Sequence, residues 1–258
     1  MREAKNVTMK EEKHWDKIAD KYEDEVLNAF ESDKEKKLAS YFKKHANKKH
    51  NAIDFGCGIG NGFHYLSPNF KQVLAIDISQ NCIDIAREKP FGNIEFNRMD
   101  CTAPNLKLKP VEFVLCSNVA IFDEIEKNYT ILKNVSKALK KGGHALFVVP
   151  SLESTMFYAW RMMDWYRKEG VKPEDIPQSE FNYYRKDVRD MLQGIVEIDG
   201  RPTKHYTHSE LQVIMREAKL EVIAIERLEY DWKTEFSEPP RWMKDPYPWD
   251  WLVECRKP

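Results

Sequence analysis

Five short apolar runs punctuate the first part of the chain, at residues 52–55, 72–76, 94–97, 113–117 and 145–149. Runs of this length, bounded by glycine and polar residues, are the pattern of strands buried on both faces. Between them, segments 62–66, 80–88 and 125–139 read as helices. The last runs into Lys140-Lys141-Gly142-Gly143, basic residues followed by glycine, as a helix C-terminus favours. Strands alternating with helices predict an α/β fold with a parallel sheet and right-handed crossovers.

The pattern differs on either side of this block. Upstream, Trp15, Ile18, Ala19, Tyr22, Val26 and Phe30 recur at three- and four-residue steps and predict one amphipathic helix over 8–30. A second helix is expected over 33–46, carrying Leu38, Tyr41 and Phe42. After Pro150 the alternation stops. Residues 151–190 are rich in Tyr, Trp, Phe and Met and read as helical on both sides of the Lys172-Pro173 break. Residues 195–202 predict a hairpin turned at Asp199-Gly200. Thr207-His-Ser-Glu210 fits a capping box that opens a helix to about Ala218. Two more strands are expected over 221–228 and 249–255. The 258 residues suit one α/β domain over 1–258, with an N-terminal helical cap at 1–48 and an insertion at 151–206.

Composition narrows the classes. A charged fraction of 32% with 42% hydrophobic residues fits a soluble globular protein. A net charge of −1 gives no general polyanion-binding surface, so nucleic acid is not the expected partner. The lysines of 43–49 read as a solvated helix end. No apolar run approaches the ~20 residues of a membrane helix. The five cysteines show no C-x-x-C and no metal spacing, so no metal site is expected. With no secretory pattern in Met1-Arg-Glu-Ala-Lys, the expected location is the reducing cytoplasm.

The chemistry concentrates in Asn51-Ala-Ile-Asp-Phe-Gly-Cys-Gly-Ile-Gly-Asn-Gly62. Glycines let a backbone approach a ligand closely, and a loop opening a helix offers unpaired N–H groups to an anion. Asp54, at the mouth of the loop, adds the opposite demand for a cation. The dinucleotide fingerprint G-x-G-x-x-G is not met, because Asn61 stands where its third glycine belongs. Asp54 would also repel a diphosphate. A head group carrying both charges, as an amino acid does, fits better.

Four motifs stand in order: Ile53-Asp-Phe-Gly-Cys-Gly-Ile-Gly60, Ala75-Ile-Asp-Ile-Ser79, Phe96-Asn-Arg-Met-Asp-Cys101 and Phe113-Val-Leu-Cys-Ser-Asn-Val119. Together they resemble the class I S-adenosylmethionine-dependent methyltransferases, closely over about 10–150 and more loosely to 255. The resemblance implies a Rossmann-like sheet of seven strands, mostly parallel, with the last antiparallel, and an α-rich insertion after the fifth strand. It implies that Asp54 holds the methionine ammonium while the backbone of Gly56, Cys57, Gly58 and Gly60 approaches the carboxylate and sugar. Asp77 would accept the ribose hydroxyls, Ile78 would pack on the adenine, and Asp100 would accept the adenine amino group between Met99 and Cys101. Ser117, Asn118 and Val119 would lie under the methyl group. His14-Trp-Asp-Lys-Ile-Ala-Asp-Lys-Tyr22 resembles the family's helical cap, with Tyr22 towards cofactor or acceptor.

The implied reaction is transfer of a methyl group from S-adenosylmethionine to O, N or S of a small-molecule acceptor, leaving S-adenosylhomocysteine. Transfer to tRNA or protein, or a non-catalytic cofactor-binding scaffold, are the alternatives. The fourth strand lacks the Asn/Asp-Pro-Pro-aromatic signature of methyltransferases acting on adenine or glutamine amines. His14, Asp16, Asp123, His144, His205 and His208 are nominal bases, with His205 the catalytic candidate. The aromatics of 151–206 and of the tail would pack as core and in part line an acceptor pocket. Arg161 and Arg185 could pair an acceptor carboxylate.

Overall fold

The computed structural model describes residues 11–22, 27–182, 187–198 and 200–258. Among the described residues nine strands form, in the order β1 (Asn47–Phe55), β2 (Phe70–Asp77), β3 (Ile94–Arg98), β4 (Val111–Ser117), β5 (Leu139–Pro150), β6 (Ile195–Ile198), β7 (Arg201–Lys204), β8 (Glu221–Glu229) and β9 (Trp249–Arg256). Seven of them make one sheet, β3-β2-β1-β4-β5-β9-β8, while β6 and β7 pair as a separate hairpin. All neighbours from β3 to β5 are parallel; β9 runs antiparallel to both β5 and β8. The expected α/β, Rossmann-like sheet with a reversed last strand is therefore observed.

Alternation along the central strands divides the core in two. Ile53, Phe55, Val114, Cys116, Ala145 and Phe147 point to one face and pack with Ile131, Leu132 and Val135 of the helix Ile125–Ala138 and with Leu211, Ile214 and Met215 of the helix His208–Glu217. Ala52, Val73, Phe113, Leu115, Leu146 and Val148 point to the other. There they meet Leu38, Tyr41 and Phe42 of the helix Lys37–His45, and Leu66. The Thr207 capping box forms as the sequence predicts.

Several boundaries differ from expectation. Residues 8–30 do not form one helix: residues 11–18 are helical, Ala19–Lys21 is a 3-10 turn, and Ala29–Ser32 is a separate helical turn capped by the Asn28 side chain. Thr8 and residues 23–26 lie outside the described residues. The Lys140–Gly143 stretch is not a helix terminus but the start of β5. Its backbone pairs with the end of the chain, Gly142 N–H donating to Lys257 O and Lys257 N–H to Gly143 O. In 151–190 a 17-residue helix, Leu152–Lys168, is followed by two 3-10 turns and the short helix Val188–Leu192. The hairpin forms as β6 and β7, with Asp199 of its turn outside the described residues.

The insertion joins the sheet at the C-terminal ends of β4 and β5. Thr203 bridges to Phe122, Ser151 to Tyr206, and Lys204 N–H donates to Ile121 O at 2.9 Å. The Tyr206 hydroxyl, buried, donates to Ala120 O at 2.7 Å. Removing it leaves a buried carbonyl unpaired, which costs about 1–3 kcal/mol. Tyr206→Phe is therefore expected to lower unfolding free energy by about that amount, read by urea denaturation monitored by circular dichroism.

Candidate active site

The strand order reverses direction between β1 and β4, the position at which open α/β sheets leave a crevice beyond the strands' carboxyl ends. Asp54, Asp77 and Ser117 stand at or next to the ends of β1, β2 and β4. The loop after β1 turns on glycines in left-handed conformation, with φ of 79° at Gly56 and 50° at Gly58. Both positions are also crowded. A Cβ at Gly56 would lie 2.4 Å from Val119 Cγ2, and one at Gly58 would lie 2.7 Å from the Tyr22 hydroxyl. The sequence-predicted Tyr22 and Val119 thus meet the loop directly.

Backbone amides fix the loop to β2. Gly56 and Cys57 N–H both donate to Ile76 O, at 2.8 and 2.9 Å. Gly58 N–H donates to Asp77 Oδ2 at 2.8 Å, and Ser79 N–H to Asp77 Oδ1 at 2.9 Å. Burial raises the Asp77 pKa, and the amides of Ser79, Gly58 and Ile78 oppose that rise. Each carboxylate oxygen keeps a further lone-pair direction for a ligand donor.

Asp54 is treated differently. It is 3% exposed, and its Oδ2 has no hydrogen-bond partner. Burial, reinforced by the charge of Asp77 and offset in part by Lys89, pushes its pKa up to about 7. A buried carboxylate without a partner is costly, and a cationic ligand group would remove the cost. Asn118 adds a second buried orphan, its Oδ1. Its backbone is left-handed, with φ 54°, and its N–H donates to Val148 O at 2.9 Å.

The remaining predicted residues fall around this crevice. Met99 N–H donates to Asp77 O at 2.8 Å, and Ile78 O accepts from Arg98 Nε. Asp100 Oδ1 accepts from the N–H and hydroxyl of Thr102, at 2.8 and 2.7 Å, so it shapes its own turn. The Cys101 thiol is buried and within electrostatic reach of Asp77, Asp100 and Asp54. Gly60 packs on the Phe63 ring. Tyr22 is buried deeply enough that its pKa is raised well above the ordinary phenol value, with Asp77, Cys82, Cys57 and Asp54 adding to the rise.

His205 stands apart from the glycine loop, on the hairpin segment docked beside Ala120 and Ile121. Its Nδ1 lies 3.0 Å from Thr203 O, which makes Nδ1 the protonated nitrogen and Nε2 the acceptor. Burial, against the Thr203 carbonyl and reinforced by Lys204, lowers its pKa to about 4.

The comparisons with known proteins agree with this fold. The family model described as "Methyltransferase domain" matches residues 52–143. The chain is similar to a solved S-adenosylmethionine-dependent methyltransferase from Anabaena variabilis, with TM-score 0.62 and 16% identity over 98% of this chain and 95% of that one. It is also similar to the N-methyltransferase NodS from Bradyrhizobium japonicum in complex with S-adenosyl-L-homocysteine, with TM-score 0.58 and 13% identity over 95% and 98% of the two chains. The family match thus covers about a third of the chain, and the solved methyltransferases share its fold. The phosphoethanolamine N-methyltransferase 1 of Triticum aestivum is 31% identical over 98 residues, 36% of this chain and 19% of that protein. The match thus spans about a fifth of the length of that relative.

Structure also corrects roles offered from sequence. Arg161 donates through Nη2 to Lys244 O at 3.1 Å and lies 5.5 and 5.4 Å from the rings of Trp232 and Trp242, while its Nε is buried without a hydrogen-bond partner. Arg185 lies outside the described residues. Many aromatics of the insertion and tail pack on one another, Phe157 against Trp232 and Trp249, and Tyr158 and Trp165 against Phe236. Met156 and Trp160 face solvent. Asp16 is an anchor: its Oδ1 accepts from the Ser79 hydroxyl at 2.6 Å and from Asn81 N–H at 3.2 Å. Sequence reasoning missed Ser79, although a serine two residues after the strand-end acid is an N-cap signal. Of the other nominal bases, Asp123 Oδ1 accepts from Glu124 N–H and His208 stacks edge-on to Trp251.

Asp54 gives the protein a pH signature. With a folded pKa near 7 against an ordinary value near 3.9, the folded state holds the proton between those limits and the unfolded state does not. Asp54 therefore lowers stability progressively as pH rises from about 4 to 7, by roughly 4 kcal/mol in full. Asp54→Asn is expected to abolish this contribution, so the stability difference between variant and parent should widen in the variant's favour across that range. Equal pH profiles in urea denaturation would show that Asp54 ionises normally.

Proposed function

We propose that this protein binds S-adenosylmethionine across the glycine loop and transfers its methyl group to a small-molecule acceptor, with nitrogen as the favoured acceptor atom. The unpartnered carboxylate oxygen of Asp54 carries the reading. A methionine ammonium supplies the positive donor that oxygen lacks, while the left-handed glycine backbone lets the rest of the amino-acid head approach. Asp77, with lone pairs beyond those used by Gly58 and Ser79, suits a pair of ribose hydroxyls. Asp100, Met99 and Cys101 would receive the adenine base, and Tyr22, whose hydroxyl lies against Gly58, would cover the bound cofactor.

Bound there, the cofactor supplies an electrophilic methyl group on a sulfonium with a good leaving group. The chain's part is alignment, which is worth up to ~7–11 kcal/mol of barrier, and care of the acceptor's proton. His205 is neutral at physiological pH, and its Nε2 is the atom that can accept a proton or orient an acceptor N–H. Nitrogen is favoured because NodS is named as an N-methyltransferase and the wheat relative as a phosphoethanolamine N-methyltransferase. The hairpin wall carrying His205, beside the loop after β4, is where the acceptor would sit.

Calorimetric titration is expected to show S-adenosylmethionine binding. Asp77→Ala should weaken it by about 1.5–3 kcal/mol, roughly ten- to a hundredfold, through lost charge-assisted hydrogen bonds. Absence of binding by the unmodified chain would remove the proposal. With labelled methyl donor, transfer to primary and methylated amines of a metabolite pool is expected, and transfer to tRNA alone would overturn the small-molecule assignment. His205→Phe should lower kcat by ~10²–10⁴ if Nε2 is the base, with cofactor affinity unchanged.

A further inference from the structure

A second group of donors lies on the face of the sheet beneath the helix Lys37–His45, where methyl transfer makes no use of it. His45 Nε2 is 2.8 Å from Glu254 Oε1, and His144 Nδ1 is 3.3 Å from the same oxygen. The two imidazole centroids are 4.4 Å apart. Two imidazoles and one carboxylate form a donor set that zinc-class cations accept, and donors about 2.0–2.2 Å from a tetrahedral centre stand roughly 3.3–3.5 Å from one another. The two histidine–carboxylate separations need only slight widening, and all three donor atoms lie within 4.8 Å of one another.

Charge balance does not explain the arrangement. Lys44 Nζ, 2.6 Å from Glu254 Oε2, already neutralises the buried carboxylate and leaves Oε1 to both histidines. A ligating carboxylate is held from behind in this manner by a hydrogen-bonding partner. His144 Nδ1 is buried without a hydrogen bond of good geometry, while the His144 ring remains 28% exposed, leaving a path for an ion and a water ligand. Among the described residues no other group of three or more such side chains converges this way. Glu254 sits on β9, three strands across from Asp54 on β1 in the order β1-β4-β5-β9, about 14 Å at ordinary strand spacing.

We propose that His45, His144 and Glu254 bind a single divalent transition-metal ion of the zinc class, which ties the end of the helix Lys37–His45 to β5 and β9. The site is structural, with the ion closing the seam between helix and sheet.

The test uses the full chain, freed of metal by a chelator and titrated with Co(II). The expected result is one tightly bound ion with the visible absorption of a four- or five-coordinate nitrogen and oxygen site, displaced by Zn(II). Zn(II) should also raise the melting temperature of the chelated chain. His144→Ala and His45→Gln should each weaken Co(II) binding at least about tenfold and abolish the Zn(II)-dependent rise. Both variants are checked for S-adenosylmethionine binding, which reports folding separately from the metal. Co(II) that keeps the weak spectrum of the hydrated ion would overturn the proposal. So would unchanged binding in either folded variant, or thiolate charge-transfer bands that point to the cysteines.

Discussion

A carboxylate at the end of β2 takes a hydrogen bond from a backbone amide in the loop after β1, and this contact between Asp77 and Gly58 sets the geometry around it. Left-handed glycines have much conformational freedom to lose, so the loop needs a fixed partner to hold one shape. Asp77 supplies it, and its other oxygen accepts the N–H of Ser79, the N-cap of the helix Gln80–Arg87. The Ser79 hydroxyl then donates to Asp16, which brings the N-terminal helical segment over the crevice. One side chain thereby coordinates a loop, a helix start and a cap that lie far apart in sequence.

Asp54 occupies the same crevice at similar burial and has the opposite circumstances. Backbone amides offset the burial cost for Asp77, whereas no donor reaches Asp54 Oδ2. Each carboxylate is penalised by burial, and the charge of Asp77 adds to the penalty on Asp54. A ligand that brings a cation to Asp54 relieves both terms at once, without disturbing the bonds that shape the loop. The crevice thus holds one acid satisfied by the fold and one with an oxygen left unpaired.

Much of this was legible in the sequence because it is local. The parallel strands are short apolar runs, the loop is dense in glycine, and Asp54 and Asp77 stand at strand ends. What failed depends on contacts between distant segments. The apolar stripe over 8–30 breaks at Ala19–Lys21, where the chain settles onto Cys82 and Ile59. Lys140–Gly143 reads as a helix end but pairs with Lys257, a contact between distant segments that no local rule foresees. Arg161 reads as a candidate carboxylate partner, and the Lys244 carbonyl and the Trp232 and Trp242 rings beside it come from the distant tail. His45 and Glu254 are 209 positions apart, so the donor group they build with His144 has no linear spacing to recognise.

The acceptor side is hard to read for a related reason. The matched domain ends at residue 143, and part of the segment beyond it is docked through one hairpin. Lys204, 1% exposed, donates to Gln193 O, His205 O and Glu210 Oε2 at 2.6, 2.9 and 2.8 Å, which uses all three ammonium protons. A buried lysine is costly unless paired and hydrogen-bonded in this way, so the hairpin has one favourable seat. That seat sets the peptide carbonyls flanking His205, and Thr203 O sets its tautomer. The hairpin is thus a rigid element whose shape follows from a buried ammonium, and the position of His205 depends on how that ammonium is held.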